Sequence, residues 1–224
     1  MKESRNIFIG IPSHNGQIHG DIIYSILDAA MSGEKIAVAH QSFSLLARNF
    51  NHLLADAING KYSHFVLLHA DIIPGKEWLQ KMLSVMDEKK CDVLSVISPR
   101  KNPRGLTSTA ILKGQDPFRA KLLTMKDVSE LPETFEREDL LVNSGLLLID
   151  LRASWVGSVW FEIKDDVENL MDGTYKPFGI SEDWLFSMRA RAAGARIFAT
   201  RAVKIRHIGS HAFTNDPADW EIKK

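Results

Sequence analysis

Ser63-His64-Phe65-Val66-Leu67-Leu68-His69-Ala70-Asp71-Ile72-Ile73-Pro74 is the stretch on which the reading of this chain turns. Its apolar centre is strand-sized and does not alternate with polar residues, so 63–69 reads as a strand covered on both faces. Asp71 and Pro74 close it. Helical spacing lies on either side. Within 44–58 the apolar positions are 45, 46, 50, 53, 54, 57 and 58, and within 77–88 Trp78, Leu79, Met82, Leu83 and Met86 share a face. Further out, 7–11, 35–39 and 92–97 read as strands. Segment 21–31 reads as a helix with apolar residues at 22, 23, 26, 27, 30 and 31, stopped by Gly33. This βαβαβαβ order predicts an α/β fold, a mostly parallel Rossmann-like sheet with helices on both faces.

Beyond residue 97 the pattern loosens. Residues 98–139 are weakly periodic and punctuated by Pro99, Pro103, Gly105, Gly114, Pro117 and Pro132, which reads as a loop-rich stretch, either functional or a structural excursion with a solvated basic face. Its charge is segregated. Arg100, Lys101, Arg104, Lys113, Arg119, Lys121 and Lys126 face only Asp116 across 100–126, whereas 127–139 is acidic apart from Arg137. The sheet resumes at 146–150. A helix is expected over 184–193, with strands at 195–200 and 203–207.

The 224 residues suit one large domain or two small ones, and 28 basic side chains against 28 acidic ones argue against a generic electrostatic nucleic-acid binder. One cysteine, Cys91, excludes a disulfide framework and a Cys-rich zinc module, and fits a reducing, cytoplasmic setting. No apolar run is long enough for a signal h-region or a membrane span. A membrane-bound substrate would have to be met from solution.

Four places carry candidate chemistry. Pro12-Ser13-His14-Asn15-Gly16 follows the first strand, at the sheet end where α/β folds bind ligands. It reads equally well as a strand-to-helix turn, and the chain has neither a dinucleotide glycine fingerprint nor a phosphate-binding lysine loop. Asp71 ends the third strand. A carboxylate there can hold a hard divalent cation against a diphosphate, or it can cap the next helix. Ser181-Glu182-Asp183-Trp184 opens a helix. The two acids suit its dipole, and one of them, desolvated, would make a general base. Arg189, Arg191, Arg196, Arg201, Lys204 and Arg206 follow with no acid before Asp216, a solvated face or a phosphate-attracting one. His207 and His211 lie just past the last strand and are candidate metal ligands.

Taken in order, Ile11-Pro12-Ser13-His14-Asn15, Ala47-Arg48-Asn49, His69-Ala70-Asp71, Val142-Asn143-Ser144-Gly145-Leu146 and Ser181-Glu182-Asp183-Trp184 with His207 resemble a GT-A fold nucleotide-sugar glycosyltransferase of the family 2 kind. The likeness spans roughly residues 5 to 212 and extends to small soluble enzymes of phage type. It implies a single GT-A domain over 1–224, with a nucleotide-binding half at 5–97, an acceptor and catalytic half at 98–212 and a tail at 213–224. It assigns Pro12, Ser13, Asn15, Arg48, His69 and Ala70 to the nucleotide sugar. Asp71 and His207 would hold Mn²⁺ or Mg²⁺, with His211 in reserve. The family's first acidic residue is replaced here by His69.

The resemblance makes Asp183 the base of an inverting transfer, with Glu182 beside it. Asn143, Ser144, Gly145, Trp184 and Arg104 would shape the sugar and acceptor pocket. The implied reaction moves a sugar from a nucleotide sugar, a UDP-sugar first, to the hydroxyl of a glycan, a lipid-linked sugar or a modified nucleobase. Two other readings use the same fold. A nucleotidyltransferase would carry a Gly-rich, basic loop after strand one, which 12–20 lacks. A non-catalytic nucleotide-sugar-binding module is suggested by His69.

Overall fold

The computed structural model describes residues 5–114, 116–209 and 212–220, the backbone alone at 116–119. The chain starts as β1 (Asn6–Ser13), α1 (Ile22–Ala30), β2 (Lys35–Ser42), α2 (Leu46–Asn59), β3 (His64–Leu68), a short β4 (Ile72–Pro74), α3 (Trp78–Lys89) and β5 (Val93–Val96). The periodicity places all of these except β4, whose three residues are too few to show a period. Then come β6 (Leu106–Lys113), β7 (Asp116–Thr124), α4 (Met125–Ser129), β8 (Thr134–Glu136), β9 (Leu140–Leu141) and β10 (Leu146–Asp150). The last elements are β11 (Lys164–Asn169), β12 (Tyr175–Ile180), α5 (Glu182–Ala192), β13 (Ile197–Thr200), β14 (Ile205–Ile208) and β15 (Ala212–Thr214).

Seven strands form one sheet in the order β2-β1-β3-β10-β5-β13-β8. β2, β1, β3, β5 and β13 point one way. β10 runs antiparallel between β3 and β5, and β8 runs antiparallel beside β13. The sheet is therefore mostly parallel, with an inserted strand that the βαβ order does not foretell. Side chains alternate cleanly between its faces. Phe8, Phe65, Leu67, Leu147 and Ile149 pack with Phe50 and Leu53 of α2 and Phe186 of α5. Ile7, Ile9, Ile11, Val66, Leu68 and Leu148 pack with Ile22 of α1 and with Trp78, Leu79 and Met82 of α3. Helices on both faces thus bury both sides of the central strands, which is why those strands read as unbroken apolar runs.

The stretch 98–139 is not mainly loop. It folds into β6 and β7, which form an antiparallel sheet with the later β9 in the order β7-β6-β9, and into α4 and β8. Its period was hidden because the inward residues of β6 include Thr107 and Thr109, both fully buried, whose polar atoms mask a β-branched strand face. Thr107 Oγ1 donates to Leu123 O at 2.8 Å, so the hydroxyl is satisfied indoors. The β11–β12 hairpin was also unforeseen, since nearly all of it is solvent-exposed and no face alternates.

Gly10, in the middle of β1, lets α2 sit directly on the strand. A Cβ there would lie 3.0 Å from Leu53 Cβ and 3.0 Å from Phe65 Cε2. Gly10→Ala is expected to cost about 1–3 kcal/mol by overpacking, read as a lowered denaturation midpoint with an unchanged slope. Wild-type stability would mean that α2 is not seated this tightly.

Candidate active site

The carboxyl ends of β1 and β3 open into a cleft of about 410 Å³, lined by Pro12, Ser13, His14, Asn15, Gln17, Ile18, His19, Leu46, His69, Ala70, Asp71 and Ile208. The loop after β1 is tied down as it leaves the strand. Ser13 Oγ accepts the Gly16 amide (3.0 Å) and shares a hydrogen bond with His40 Nε2 (2.8 Å). Asn15 Oδ1 accepts the Gln17 amide, an Asx turn, and His19 N donates to Ala70 O at 2.8 Å. Pro12, Ser13, Asn15, His69, Ala70 and Asp71, named from sequence, therefore share one cleft. Arg48 does not line it: its exposed side chain lies over the Phe43 ring, 4.5 Å from the centroid. Its neighbour Asn49 faces inward instead, donating to Ser13 O and Phe43 O at 3.0 Å each. Asn49 and His40 were missed as parts of this site, although both stand beside residues that were not.

Asp71 does not cap α3. The Glu77 amide goes to Asp28 Oδ2 (2.8 Å), and Asp71 turns to the rim of the cleft. Lys101 Nζ donates to Asp71 Oδ2, and His207 Nε2 lies 3.6 Å from Oδ1. Partial burial pushes the Asp71 carboxyl up, but the His207 and Lys101 contacts outweigh it and hold the group well below the ordinary carboxylate range. His207 Nδ1 sits 2.7 Å from Pro99 O. A carbonyl can only accept, so Nδ1 carries a proton, and Nε2 is the nitrogen that faces Asp71. His69 is held neutral, its pKa lowered to about 4 by burial against a weaker opposing effect of Asp71. It packs on Phe50 and reaches Ser144 Oγ at 3.4 Å. Among the described residues no three His, Cys, Asp or Glu side chains converge as a metal cluster. His211 lies outside the described residues.

Asn143, Ser144 and Gly145 precede β10 and sit beside the ends of β3 and β5. Asn143 is buried; its Nδ2 donates to Val96 O and Thr109 Oγ1 (3.1 Å each), and its Oδ1 accepts the Gly145 amide (3.1 Å). Trp184 Nε1 donates to Ser108 O (3.1 Å), and Ser108 N to Ser98 O (3.0 Å), which links α5 through β6 to the segment carrying Lys101. Arg104 is elsewhere. It lines a separate cavity of about 580 Å³ with Lys126, Glu130 and Trp220.

Asp183 stands in the first turn of α5, with Ser181 at the N-cap position. The Ser181 hydroxyl does not cap the helix; it donates to Asp183 Oδ1, which also accepts the Trp184 amide (2.9 Å). Some of the residue's surface remains open, yet protein encloses the carboxyl closely. Desolvation, with the nearby Glu182 charge, outweighs these hydrogen bonds and raises its pKa from 3.8 to about 7. The basic residues that follow find partners within the chain. Arg189 pairs with Glu162, Arg196 with Glu136, Lys204 with Asp216 and Arg206 with Asp21, while Arg191 and Arg201 donate to the carbonyls of Leu140 and Leu131. They join elements distant in sequence, so the run is structural.

No protein-family model and no curated protein sequence matches the chain. Among solved structures, A197 from STIV superposes with a TM-score of 0.56 at 15% identity, covering 91% of this chain and 86% of its own, a likeness that shows a shared fold. S. aureus TarS 1-349 in complex with UDP-GlcNAc gives 0.44 at 13% identity over 88% of this chain and 56% of its own. A UDP-glucose pyrophosphorylase complexed with UDP-glucose gives 0.49 at 9% identity over 96% of each chain. At TM-scores below 0.5 these last two establish no common fold.

Because the Asp183 carboxyl ionises near 7 when folded and near 3.8 otherwise, the folded chain holds an extra proton between those values. Stability from this group is therefore lost as pH rises from about 4 to about 7. Asp183→Asn, which keeps an acceptor for Ser181 and Trp184, is expected to melt roughly 2–4 °C or more above wild type at pH 8. The gap should close toward pH 4. Identical melting curves across that range would remove the raised pKa.

Proposed function

We propose that this chain is a GT-A type glycosyltransferase that moves a sugar from a nucleotide sugar, a UDP-sugar first, to an acceptor hydroxyl with inversion. The observation that carries the reading is Asp71, set at the rim of the cleft at the strand ends and facing Lys101 and His207. The nucleotide would lie along Pro12, Ser13 and Asn15, with its diphosphate toward Asp71. Asn143, Ser144, Gly145 and Trp184 would border the sugar and acceptor. Asn143, Ser144, Gly145, Glu182, Asp183 and Trp184 are not among the residues that line the cleft itself. Arg48 and Arg104 are left out of this reading because one lies over the Phe43 ring and the other lines a separate cavity.

Asp183 acts as the base. An alcohol is a poor nucleophile until its proton is leaving, and a carboxyl that ionises near 7 is matched to accept that proton at neutral pH. The acceptor oxygen bonds to the anomeric carbon, the bond from that carbon to the donor phosphate breaks, and the nucleoside diphosphate departs with the electron pair. Glu182 beside Asp183 raises its proton affinity further.

Mn²⁺ or Mg²⁺ belongs to this proposal. The donor set fits such an ion: Nε2 of His207 and a carboxylate oxygen of Asp71 face each other, and the other nitrogen of the ring is fixed on Pro99 O, as in many metal-binding histidines. With few protein ligands, the rest would come from phosphate and water. The ion would supply positive charge against the leaving diphosphate. A nucleotidyltransferase reading is less well supported by the sequence, because the Gly-rich basic loop such enzymes carry after the first strand is missing from 12–20.

A thermal-shift panel of nucleotide sugars with and without Mn²⁺ tests the reading. A true donor raises the melting temperature with the logarithm of its concentration, and Asp71→Asn should erase the Mn²⁺-dependent part. Asp183→Asn should keep donor binding and lower transfer by roughly 10²–10⁴-fold. Near wild-type turnover would dismiss Asp183 as the base. A product with retained anomeric configuration would dismiss inversion.

A further inference from the structure

Lys101 reaches Asp71 along a prepared path. Its stem lies across Gly209, where an added Cβ would stand 3.1 Å from Lys101 Cδ and 3.4 Å from its Cβ and Cγ. The backbone on both sides is pinned. Pro99 O accepts from His207 Nδ1 (2.7 Å), Arg100 N donates to Leu106 O (2.7 Å), and Ile208 N donates to Asp71 O (2.8 Å). A glycine groove and three hydrogen bonds thus deliver one ammonium to one carboxylate oxygen. The pair itself is weak, since both side chains keep more than a third of their surface exposed (37% and 36%). It is well placed but easily exchanged.

Charge decides what such a pair is for. Among the described residues the cleft lining holds no Lys or Arg, yet a nucleotide sugar brings a doubly negative diphosphate. While closed, Asp71–Lys101 is neutral and offers that ligand nothing. With a divalent cation in the place of the ammonium, the carboxylate and ion together are singly positive. The released Lys101 supplies the second positive charge.

We propose that Lys101 is an exchangeable counter-ion, which holds Asp71 in the empty cleft, cedes it to the divalent cation arriving with the donor, and then turns its ammonium to the diphosphate. This deepens the nucleotide-sugar reading above and rests on it.

The exchange has a signature of two opposite signs. Lys101→Met keeps an unbranched stem in the Gly209 groove and deletes the charge. Mn²⁺ binding to the nucleotide-free variant, measured by calorimetry and by electron paramagnetic resonance of free Mn²⁺, should tighten about two- to fivefold, the range of an exposed ion pair. In saturating Mn²⁺, the tightest binder of a UDP, GDP, ADP and CDP panel should bind the same variant at least a fewfold more weakly. Lys101→Arg should stay near wild type for the nucleotide, and circular dichroism checks that each variant is folded.

Unchanged Mn²⁺ affinity in Lys101→Met would overturn the exchange and leave Lys101 as a phosphate ligand at most. Tighter Mn²⁺ with unchanged nucleotide affinity would overturn it too, leaving a plain counter-ion. The Mn²⁺ measurement uses no nucleotide, so the two readings fail separately. If Lys101→Met tightens Mn²⁺ but no nucleoside diphosphate or nucleotide sugar binds any variant, the glycosyltransferase reading falls, and the diphosphate half of this proposal with it.

Discussion

Because β10 runs against its neighbours, its N-terminal end lies beside the carboxyl ends of β3 and β5, and one buried side chain closes the junction. Asn143 joins Val96 of β5, Thr109 of β6 and the Gly145 amide, while Ser95 Oγ of β5 donates to the Asn143 carbonyl (2.6 Å). An amide side chain suits the place, since it both donates and accepts where an apolar residue would strand those groups without water. The neighbouring amide of His69 is fixed through Gly145 O (2.9 Å). In a purely parallel sheet, a strand's start lies at the far end from the ligand site. Reversing β10 brings its entry loop to the cleft.

How much could be read in advance follows from what buries each element. Strands β1, β2, β3 and β5 and the helices between them were legible because both sheet faces are covered, which leaves apolar runs and 3.6-residue spacing in plain view. β6 was not, since threonines point inward there, Thr107 satisfied on the Leu123 carbonyl and Thr109 by the Asn143 amide. Nor was the β11–β12 hairpin, whose surface is nearly all wet. At the candidate site, Ser13, Asn15, Asp71 and His207 were legible because a turn residue at a strand end and a carboxylate after a buried run stand out. Arg48 stood out by type, but its long side chain found the Phe43 ring, whereas Asn49 one step along the helix is the residue turned inward.

Charge was the least legible feature. The basic residues from Arg189 to Arg206 looked like a phosphate-facing run because their partners, such as Glu162, Glu136 and Asp21, come from other parts of the chain. Spacing along one element cannot show a partner on another. Lys101 was visible only as one basic residue among seven, yet it is the one that meets Asp71 among those whose side chains are described. Likewise the two acids at the start of α5 suit a helix dipole equally well, and only enclosure by the fold separates Asp183 from its neighbour.

The antiparallel β10 also sets the order in which this molecule can be completed. Until the chain has been made through residue 150, β3 and β5 have an empty lane between them, with apolar edges that nothing yet covers. Asp71 acquires its last neighbour later still, when β14 brings His207 back to it. Contacts this distant in sequence slow folding and leave partly built intermediates open to association. A nascent chain shorter than this holds a strand-rich fragment with no finished cleft, so the cleft is complete only once residues through Ile208 have been made.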